Sequence, residues 1–231
     1  MPALSPAETE ALLLSLRVAL WAVLASLPPG LLVAWLLARC EFPGKFLLNG
    51  LVHLPLVVPP VVVGYLLLLL LGRRGPLGSL LEGWFGITVA FTWRGAAVAA
   101  AVMGFPLMVR AIRLSLEAVD LGLEATARTL GAGPVWVFLT ITLPLIAPGV
   151  LTGLILAFAR SLGEFGATIT FVSNIPGETR TLPLALYTAT QLPGGEEAAL
   201  RLAVLSVILA MAALAGSELM ARRVSARLTG R

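Results

Sequence analysis

The stretch that decides the fold is residues 120–144, which read DLGLEATARTLGAGPVWVFLTITLP. Asp120 is a residue type that caps helix N-termini. Glu124 and Arg128 have the i,i+4 spacing and the order that stabilise a helix. Gly131 stands where a helix commonly ends in the left-handed conformation. The stretch therefore predicts a short, capped helix.

A long apolar run follows this helix directly. Pro134 is suited to open a helix, and no charged residue occurs between Arg128 and Arg160. A helix needs about 20 mostly apolar residues to cross a bilayer. We therefore expect the short helix to lie at a membrane surface, between two helices that cross the membrane.

The whole chain has the composition of a membrane protein. Of its 231 residues, 58% are hydrophobic and only 12% are charged, and the mean hydropathy is +0.97. A soluble domain usually carries about 25% charged residues. Soluble enzymes, nucleic-acid binders and disordered proteins are therefore excluded as classes. The net charge of +4 is spread between apolar runs rather than gathered on one nucleic-acid-binding face.

We predict an all-α integral membrane protein, with residues 1–231 forming a single transmembrane domain. Pro55, Pro59 and Pro60 should break or kink the second of its spans. Five apolar stretches are long enough to cross, at about 12–39, 46–72, 86–112, 134–160 and 198–222.

The segment 161–199 differs from these stretches because it carries several charges and prolines. It favours a re-entrant or externally lying segment with broken helices, which membranes tolerate only where protein or water shields the backbone. A sixth crossing within this segment is the alternative.

Basic residues concentrate in alternate loops. Because cytoplasmic loops carry an excess of Lys and Arg, this pattern predicts the orientation of the chain in the membrane. The expected cytoplasmic loops contain the short helix and the C-terminus, and the N-terminus lies outside. Arg73 and Arg74 go against this rule. The residues that support it are Arg39, Lys45, Arg110, Arg113, Arg128, Arg222, Arg223, Arg227 and Arg231.

No catalytic or cofactor site is indicated. Cys40 is the only cysteine, and a lone histidine, His53, cannot build a metal site. Lys45 is the only lysine, and it is not part of a phosphate-binding Gly-x-x-x-x-Gly-Lys-Ser/Thr motif, because Arg39 stands where that motif needs its first glycine. We expect no enzyme activity and no resident cofactor in this chain.

The short helix has two interpretations. It is either a linker with a solvated charged face or a docking helix for a soluble partner. Ala125, Ala127 and Gly131 are small enough for a partner's backbone to approach closely, and Leu123 and Leu130 are candidate anchors in a hydrophobic groove.

The same stretch resembles the "EAA" loop of ATP-binding-cassette importer permeases, which reads Glu-Ala-Ala, three residues, Gly, nine residues, Ile, one residue, Leu-Pro. Gly131 and Ile141 have that spacing, and Leu143 is followed by proline. Glu124 stands one position early. The resemblance implies the type I importer permease fold, with a cytoplasmic coupling helix at about 120–132. The coupling residues it implies are Leu123, Glu124, Ala125, Thr126, Ala127, Arg128, Leu130, Gly131 and Ala132.

A second motif narrows the resemblance. Gly163-Glu-Phe-Gly166, followed by Asn174-Ile-Pro-Gly-Glu-Thr-Arg-Thr181, resembles the membrane subunit of molybdate importers. Sulfate permeases have a similar Gly-Glu-aromatic-Gly element. We interpret the polar residues near this motif as candidates for the translocation path. They are Arg94, Ser161, Glu164, Thr168, Thr170, Ser173 and Asn174.

Arg94 also has two structural interpretations, an interfacial side chain or an ion-pair partner of Glu164. A path that must release its anion should offer weak polar contacts rather than tight charge pairs.

The resemblance implies a homodimer in the plasma (inner) membrane of a prokaryote, surrounded by lipid bilayer. Two cassette ATPase subunits would carry ATP and Mg, and an extracytoplasmic oxyanion-binding protein would deliver molybdate or tungstate. Sulfate or thiosulfate import is the alternative within the class. A stand-alone channel or secondary transporter is the alternative from another class.

Overall fold

The computed structural model describes residues 4–228, and their side chains as far as residue 216. Every regular element in this range is helical. The side chains of Arg222, Arg223 and Arg227, and the whole of Arg231, lie outside the described part. Four helices are long and apolar enough to cross a membrane, and a bent pair supplies a fifth crossing if it counts as one span.

The first helix, α1 (Pro6–Arg39), begins at a capping box. The Glu8 N–H donates to Ser5 Oγ at 3.3 Å, and the Ser5 N–H donates to Glu8 Oε2 at 2.7 Å. The helix continues through Pro28 and Pro29 for 34 residues. This makes it about 51 Å long, well beyond the roughly 30 Å of a bilayer's apolar core.

The second predicted span is broken into two helices, α2 (Lys45–Val57) and α3 (Pro60–Leu71), whose axes differ by 117°. As predicted, prolines cause the break. Pro59 and Pro60 lack the N–H groups that would continue the α2 hydrogen-bond ladder. A short helix, α4 (Pro76–Phe85), follows.

The central helix is α5 (Trp93–Glu117), which packs against α1 on one side and the α8 helix described below on the other. It starts later than the predicted residue 86 and runs past residue 112. Phe91 has a φ of 60°, which is incompatible with a continuing helix, and Thr92 provides the N-cap. The alanine-rich face of α5 is fully buried.

After the short helix α6 (Leu121–Thr129), a continuous rod runs over Pro134–Leu162. It consists of α7 (Pro134–Val137), a π-helical segment (Phe138–Thr142) and α8 (Leu143–Leu162). A π-helical turn holds one residue more than an α-turn and is common near functional sites.

The rod leads into the segment that was expected to be broken. It contains two short helices, α9 (Gly166–Val172) and α10 (Leu182–Gln191). The last helix, α11 (Glu196–Leu228), includes the predicted span at 198–222 and extends beyond both of its limits.

The bundle has two distinct ends. We call one the α6 end, where Arg39 at the end of α1 contacts α6. At the other, the Trp93 end, α5 and α11 begin and the N-terminal part of α1 contacts both α10 and α11. There the Leu182 N–H donates to Ser15 Oγ at 2.7 Å, and Arg201 pairs with Glu8 at 3.1 Å.

The contact between α3 and α9 is unusually close at Gly64. A Cβ added at this glycine would lie 2.5 Å from the Ala167 carbonyl oxygen, which is backbone and cannot rotate away. We expect Gly64→Ala to separate the two helices and lower the free energy of unfolding by about 1–3 kcal/mol. Thermal unfolding in detergent measures this. Gly50→Ala in α2 is the matched control, since its added Cβ would meet nothing within 4 Å. Equal stability of the two variants would contradict the prediction.

Candidate functional site

The short helix α6 is capped at both ends by hydrogen bonds among residues close to one another in the sequence. Asp120 Oδ1 accepts a hydrogen bond from the Gly122 N–H at 2.8 Å. At the other end Gly131 has a φ of +88°. The Ala132 N–H donates to the Ala127 carbonyl at 3.1 Å, and the Gly131 N–H donates to the Arg128 carbonyl at 3.0 Å. These two bonds make the Schellman ending, so α6 is a defined structural unit rather than a frayed linker.

The two faces of α6 differ. Glu124 and Ala127 are buried against the bundle, and Ala132 is half-buried just beyond the helix. The remaining predicted coupling residues are exposed, namely Leu123, Ala125, Thr126, Arg128, Leu130 and Gly131. Leu130 is 84% exposed. Leu123 is 50% exposed and lines the same cleft as Leu130, and contiguous apolar patches of this kind, rather than single side chains, mark protein-binding surfaces.

Glu124 faces inward and joins three elements. Its Oε1 accepts from Arg39 Nη2 at 3.0 Å and from Thr142 Oγ1 at 2.9 Å. Its Oε2 lies 3.5 Å from Arg128 Nη2. The carboxylate therefore ties α6 to the end of α1 and to the π-helical segment. The sequence predicted the Arg128 contact from its spacing, whereas Arg39 and Thr142 became partners only through the fold.

A cleft of about 900 Å³ lies beside α6. Leu123 and Leu130 form one wall, and Trp136 on α7 belongs to the other. Trp136 is itself 57% exposed. The exposed face of α6 and this cleft form one mostly apolar surface at the α6 end, which we call the docking surface.

The second motif lies at the corner between α8 and α9. Glu164 is only 3% exposed, and its Oε2 lies 2.6 Å from Arg160 Nη1. The Ala167 N–H donates to Glu164 Oε1 at 2.8 Å. The interpretation of Arg94 as the partner of Glu164 is therefore wrong. Arg94 is exposed, and its guanidinium carbon lies 5.9 Å from the ring centre of neighbouring Trp93.

The remaining path candidates lie at different places along α8, α9 and the loop that follows α9. Ser161 is buried and its hydroxyl donates to the Ala100 carbonyl at 3.4 Å. Thr168 is also buried, and the half-buried Thr170 donates to the Gly166 carbonyl at 2.9 Å.

Ser173 and Asn174 lie in the loop after α9. Ser173 is exposed and has a φ of 65°. Asn174 donates to Thr188 at 2.7 Å and accepts from Arg180 at 2.9 Å, so its amide holds the loop together.

Sequence reasoning missed a cluster at the Trp93 end. The Arg17 guanidinium stacks 3.8 Å from the centre of the Trp93 ring, and Trp21 lies 6.3 Å from the same ring. The Trp93 N–H also donates to Glu178 Oε1 at 3.4 Å. An arginine one turn before a tryptophan is a weak signal. Only the packing of α1 on α5 brings these groups together.

The described residues contain no group of three His, Cys, Asp or Glu side chains placed to hold a metal ion. His53 Nδ1 donates to the Asn49 carbonyl at 2.8 Å within α2. This is the backbone bond expected of a structural histidine.

Comparison with known proteins agrees with this architecture. The family model described as "Binding-protein-dependent transport system inner membrane component" matches residues 30–226. The "Molybdenum transport system permease protein ModB" of Escherichia coli (strain K12) is 65% identical over 99% of both chains. The protein of the same name from Haemophilus influenzae is 57% identical over 96% of both chains. The "Sulfate transport system permease protein CysW" of Synechococcus elongatus is 40% identical over 72% of this chain and 62% of its own length.

Two solved structures have the same fold. A bacterial ABC transporter that imports the acidic polysaccharide alginate gives a TM-score of 0.75 at 16% identity, covering 95% of this chain and 80% of that one. The MetNI methionine ABC transporter gives 0.68 at 16% identity, covering 94% of both chains. The fold is that of ABC importer permeases. Because the family model matches most of the chain and the relatives are permease proteins rather than enzymes, the chain belongs to the family of binding-protein-dependent transport system inner membrane components.

Proposed function

We propose that this chain is the membrane-spanning subunit of an ATP-driven molybdate importer. The observation that carries the proposal is the 65% identity, over 99% of both chains, to a permease named for molybdenum transport. The sulfate permease is less similar and matches only 72% of this chain. Tungstate is included in the proposal because it is a tetrahedral dianion of nearly the same size as molybdate.

The docking surface supports a cassette ATPase as the partner. The chain has no phosphate-binding loop of its own, so ATP and Mg belong to that partner. Leu123 and Leu130 project from α6 as apolar anchors, 50% and 84% exposed. Glu124 links the docked helix to α1 and to the rod that continues into α8. Movement of the ATPase would therefore reach two membrane-crossing helices at once.

The charge distribution supports a cytoplasmic α6 end and C-terminus in a prokaryotic inner membrane. Arg39, Lys45 and Arg113 lie at the α6 end with Arg128. Cytoplasmic loops carry such an excess of Lys and Arg. The Trp93 end then faces outward, where an oxyanion-binding protein delivers its anion.

We further propose a homodimer with the path between the two copies. α5 packs against α1 and α8 through small residues. A Cβ added at Gly104 would lie 3.1 Å from the Ala157 carbonyl oxygen. Helices this close leave little room for a tetrahedral dianion between them. In the dimer, ATP binding would open the path outward and hydrolysis would reset it, which is alternating access between two states.

Anion-stimulated ATP hydrolysis in proteoliposomes tests the proposal. The chain is co-reconstituted with its cassette ATPase and the extracytoplasmic binding protein, loaded with molybdate, tungstate or sulfate. We expect molybdate and tungstate to stimulate hydrolysis severalfold, and sulfate to leave the basal rate unchanged. Stimulation by sulfate alone would move the chain to sulfate import. Anion transport without any ATPase would instead support a stand-alone transporter.

A further inference from the structure

Two broken helices meet inside the bundle. Gly166, at the corner between α8 and α9, lies against Pro60, where α3 begins after the break from α2. A Cβ added at Gly166 would lie 2.8 Å from the Pro60 Cβ. Ser161 fixes the depth of this corner, because its hydroxyl bonds to the Ala100 carbonyl. Ala100 lies about 10 Å along α5 from Trp93, at 1.5 Å per residue. The corner is therefore inside the apolar part of the bundle.

The corner holds a charge pair. Glu164 is 3% exposed, and Arg160 neutralises it at 2.6 Å while the Ala167 N–H occupies its other oxygen. The charge of the carboxylate is thus paired within this chain, while its buried Oε2 accepts no hydrogen bond from the described residues. Arg160, in contrast, keeps N–H donors that no described residue accepts. A guanidinium has five N–H donors, and the described residues give it no partner except Glu164.

Arg160 also lies on an uncovered face. Its side chain is 27% exposed. On α8 it continues the i,i+4 stripe of Thr152 and Leu156, both of which are exposed. The stripe that packs on α5 is a different one, formed by small buried residues such as Gly153 and Ala157. A guanidinium at membrane depth is costly against lipid and normally faces a cavity or a protein partner.

We propose that Arg160 is an anion-contacting residue of the translocation path, donating hydrogen bonds to the transported tetrahedral oxyanion. Glu164 is its positioning residue. Its Oε2 lies 2.6 Å from one guanidinium nitrogen, Nη1, and the described residues take up none of the other N–H donors of Arg160. Glu164 also cancels the charge of Arg160, so that a dianion is attracted by directed N–H groups without being trapped by a net positive charge. This inference rests on the proposed oxyanion import.

The test is uptake of radiolabelled molybdate by the reconstituted importer with its binding protein. We expect Arg160→Gln to lower uptake roughly tenfold, the effect of losing one charge-assisted hydrogen bond. Arg160→Lys keeps the charge but not the planar fork, and should be intermediate. Arg74→Gln, an exposed arginine beyond α3, should transport like the wild type. ATPase co-purification should be unchanged in all three.

The double variant Arg160→Gln/Glu164→Gln separates anion contact from support of Glu164. If Arg160 served only to neutralise Glu164, removing both charges would restore uptake, and that result would overturn the inference. We expect uptake to stay low. Wild-type rates in Arg160→Gln would overturn it as well. A wild-type importer that moves no oxyanion would refute the proposed function itself, and this inference with it.

Discussion

Replacing Leu130 with glutamate should strongly weaken binding of the cassette ATPase. Leu130 is the C-cap residue of α6 and is 84% exposed on the docking surface. A carboxylate here would have to be desolvated in an apolar groove on the partner, whereas the helix itself bears only the small penalty of a negative charge at its C-terminus. Interface anchors contribute about 2 kcal/mol or more, so we expect at least about a 30-fold loss of affinity. Co-purification in detergent, followed by titration of the ATPase, measures it.

The chain offers a matched control for this change. Leu192 is the C-cap residue of α10, is 59% exposed, and lies at the opposite end of the bundle. Leu192→Glu should bind the ATPase like the wild type. If Leu130→Glu also binds normally, α6 is a linker helix and docking occurs elsewhere.

Glu124→Ala should destabilise the protein and uncouple it. The change leaves Arg39, whose side chain is only 15% exposed, without its partner. Breaking a buried ion pair by removing one member costs about 3–5 kcal/mol. It also cuts the tie between α6 and Thr142. We therefore expect a lower Tm in detergent, together with loss of uptake while the ATPase still binds through Leu123 and Leu130.

Adding Arg39→Met to Glu124→Ala separates these two effects. The double variant no longer has a stranded charge, so its Tm should recover. Uptake should stay low, because α6 is still detached from α1. Glu41→Ala is the control, since the Glu41 side chain is 90% exposed in its pair with Lys45 and its loss should change stability by less than about 1 kcal/mol. Recovery of uptake in the double variant would show that coupling does not use this tie.

Local sequence information was sufficient to predict the helix α6 and both of its ends. Asp120, Gly122 and Gly131 interact within one short stretch, so the capping residues could be read in order along the chain. The membrane-crossing stretches could also be predicted from the sequence, because the length of an apolar run can be counted directly along the chain. The prolines at 59 and 60 predicted a break, but not the 117° bend, which depends on where α3 packs against α9.

Contacts between residues that are far apart in the sequence could not be predicted from local patterns. Glu124 and Arg39 are 85 positions apart, and the pair exists because the C-terminal end of α1 lies beside the first turn of α6. Arg160 stands three residues before the Gly163–Gly166 motif, whereas the ion pair predicted as an option for Glu164 was with Arg94. The i,i+4 spacing of Arg160 and Glu164 was a readable signal. What the sequence did not reveal is that α8 ends at Leu162 and turns into α9, so that Glu164 is buried at this corner while part of Arg160 stays exposed.

The anchoring of α1 at both of its ends has a consequence for how the two sides of the membrane communicate. One end is bonded to α6 through Arg39, and the other to α10 and α11 through Ser15 and Glu8. The helix therefore connects the α6 end of the bundle directly to the Trp93 end. In the proposed importer, this helix would couple the nucleotide state of the ATPase on one face to the occupancy of the binding protein on the other, along a route separate from the anion's own. Such a route would let an importer hold back hydrolysis until cargo has arrived.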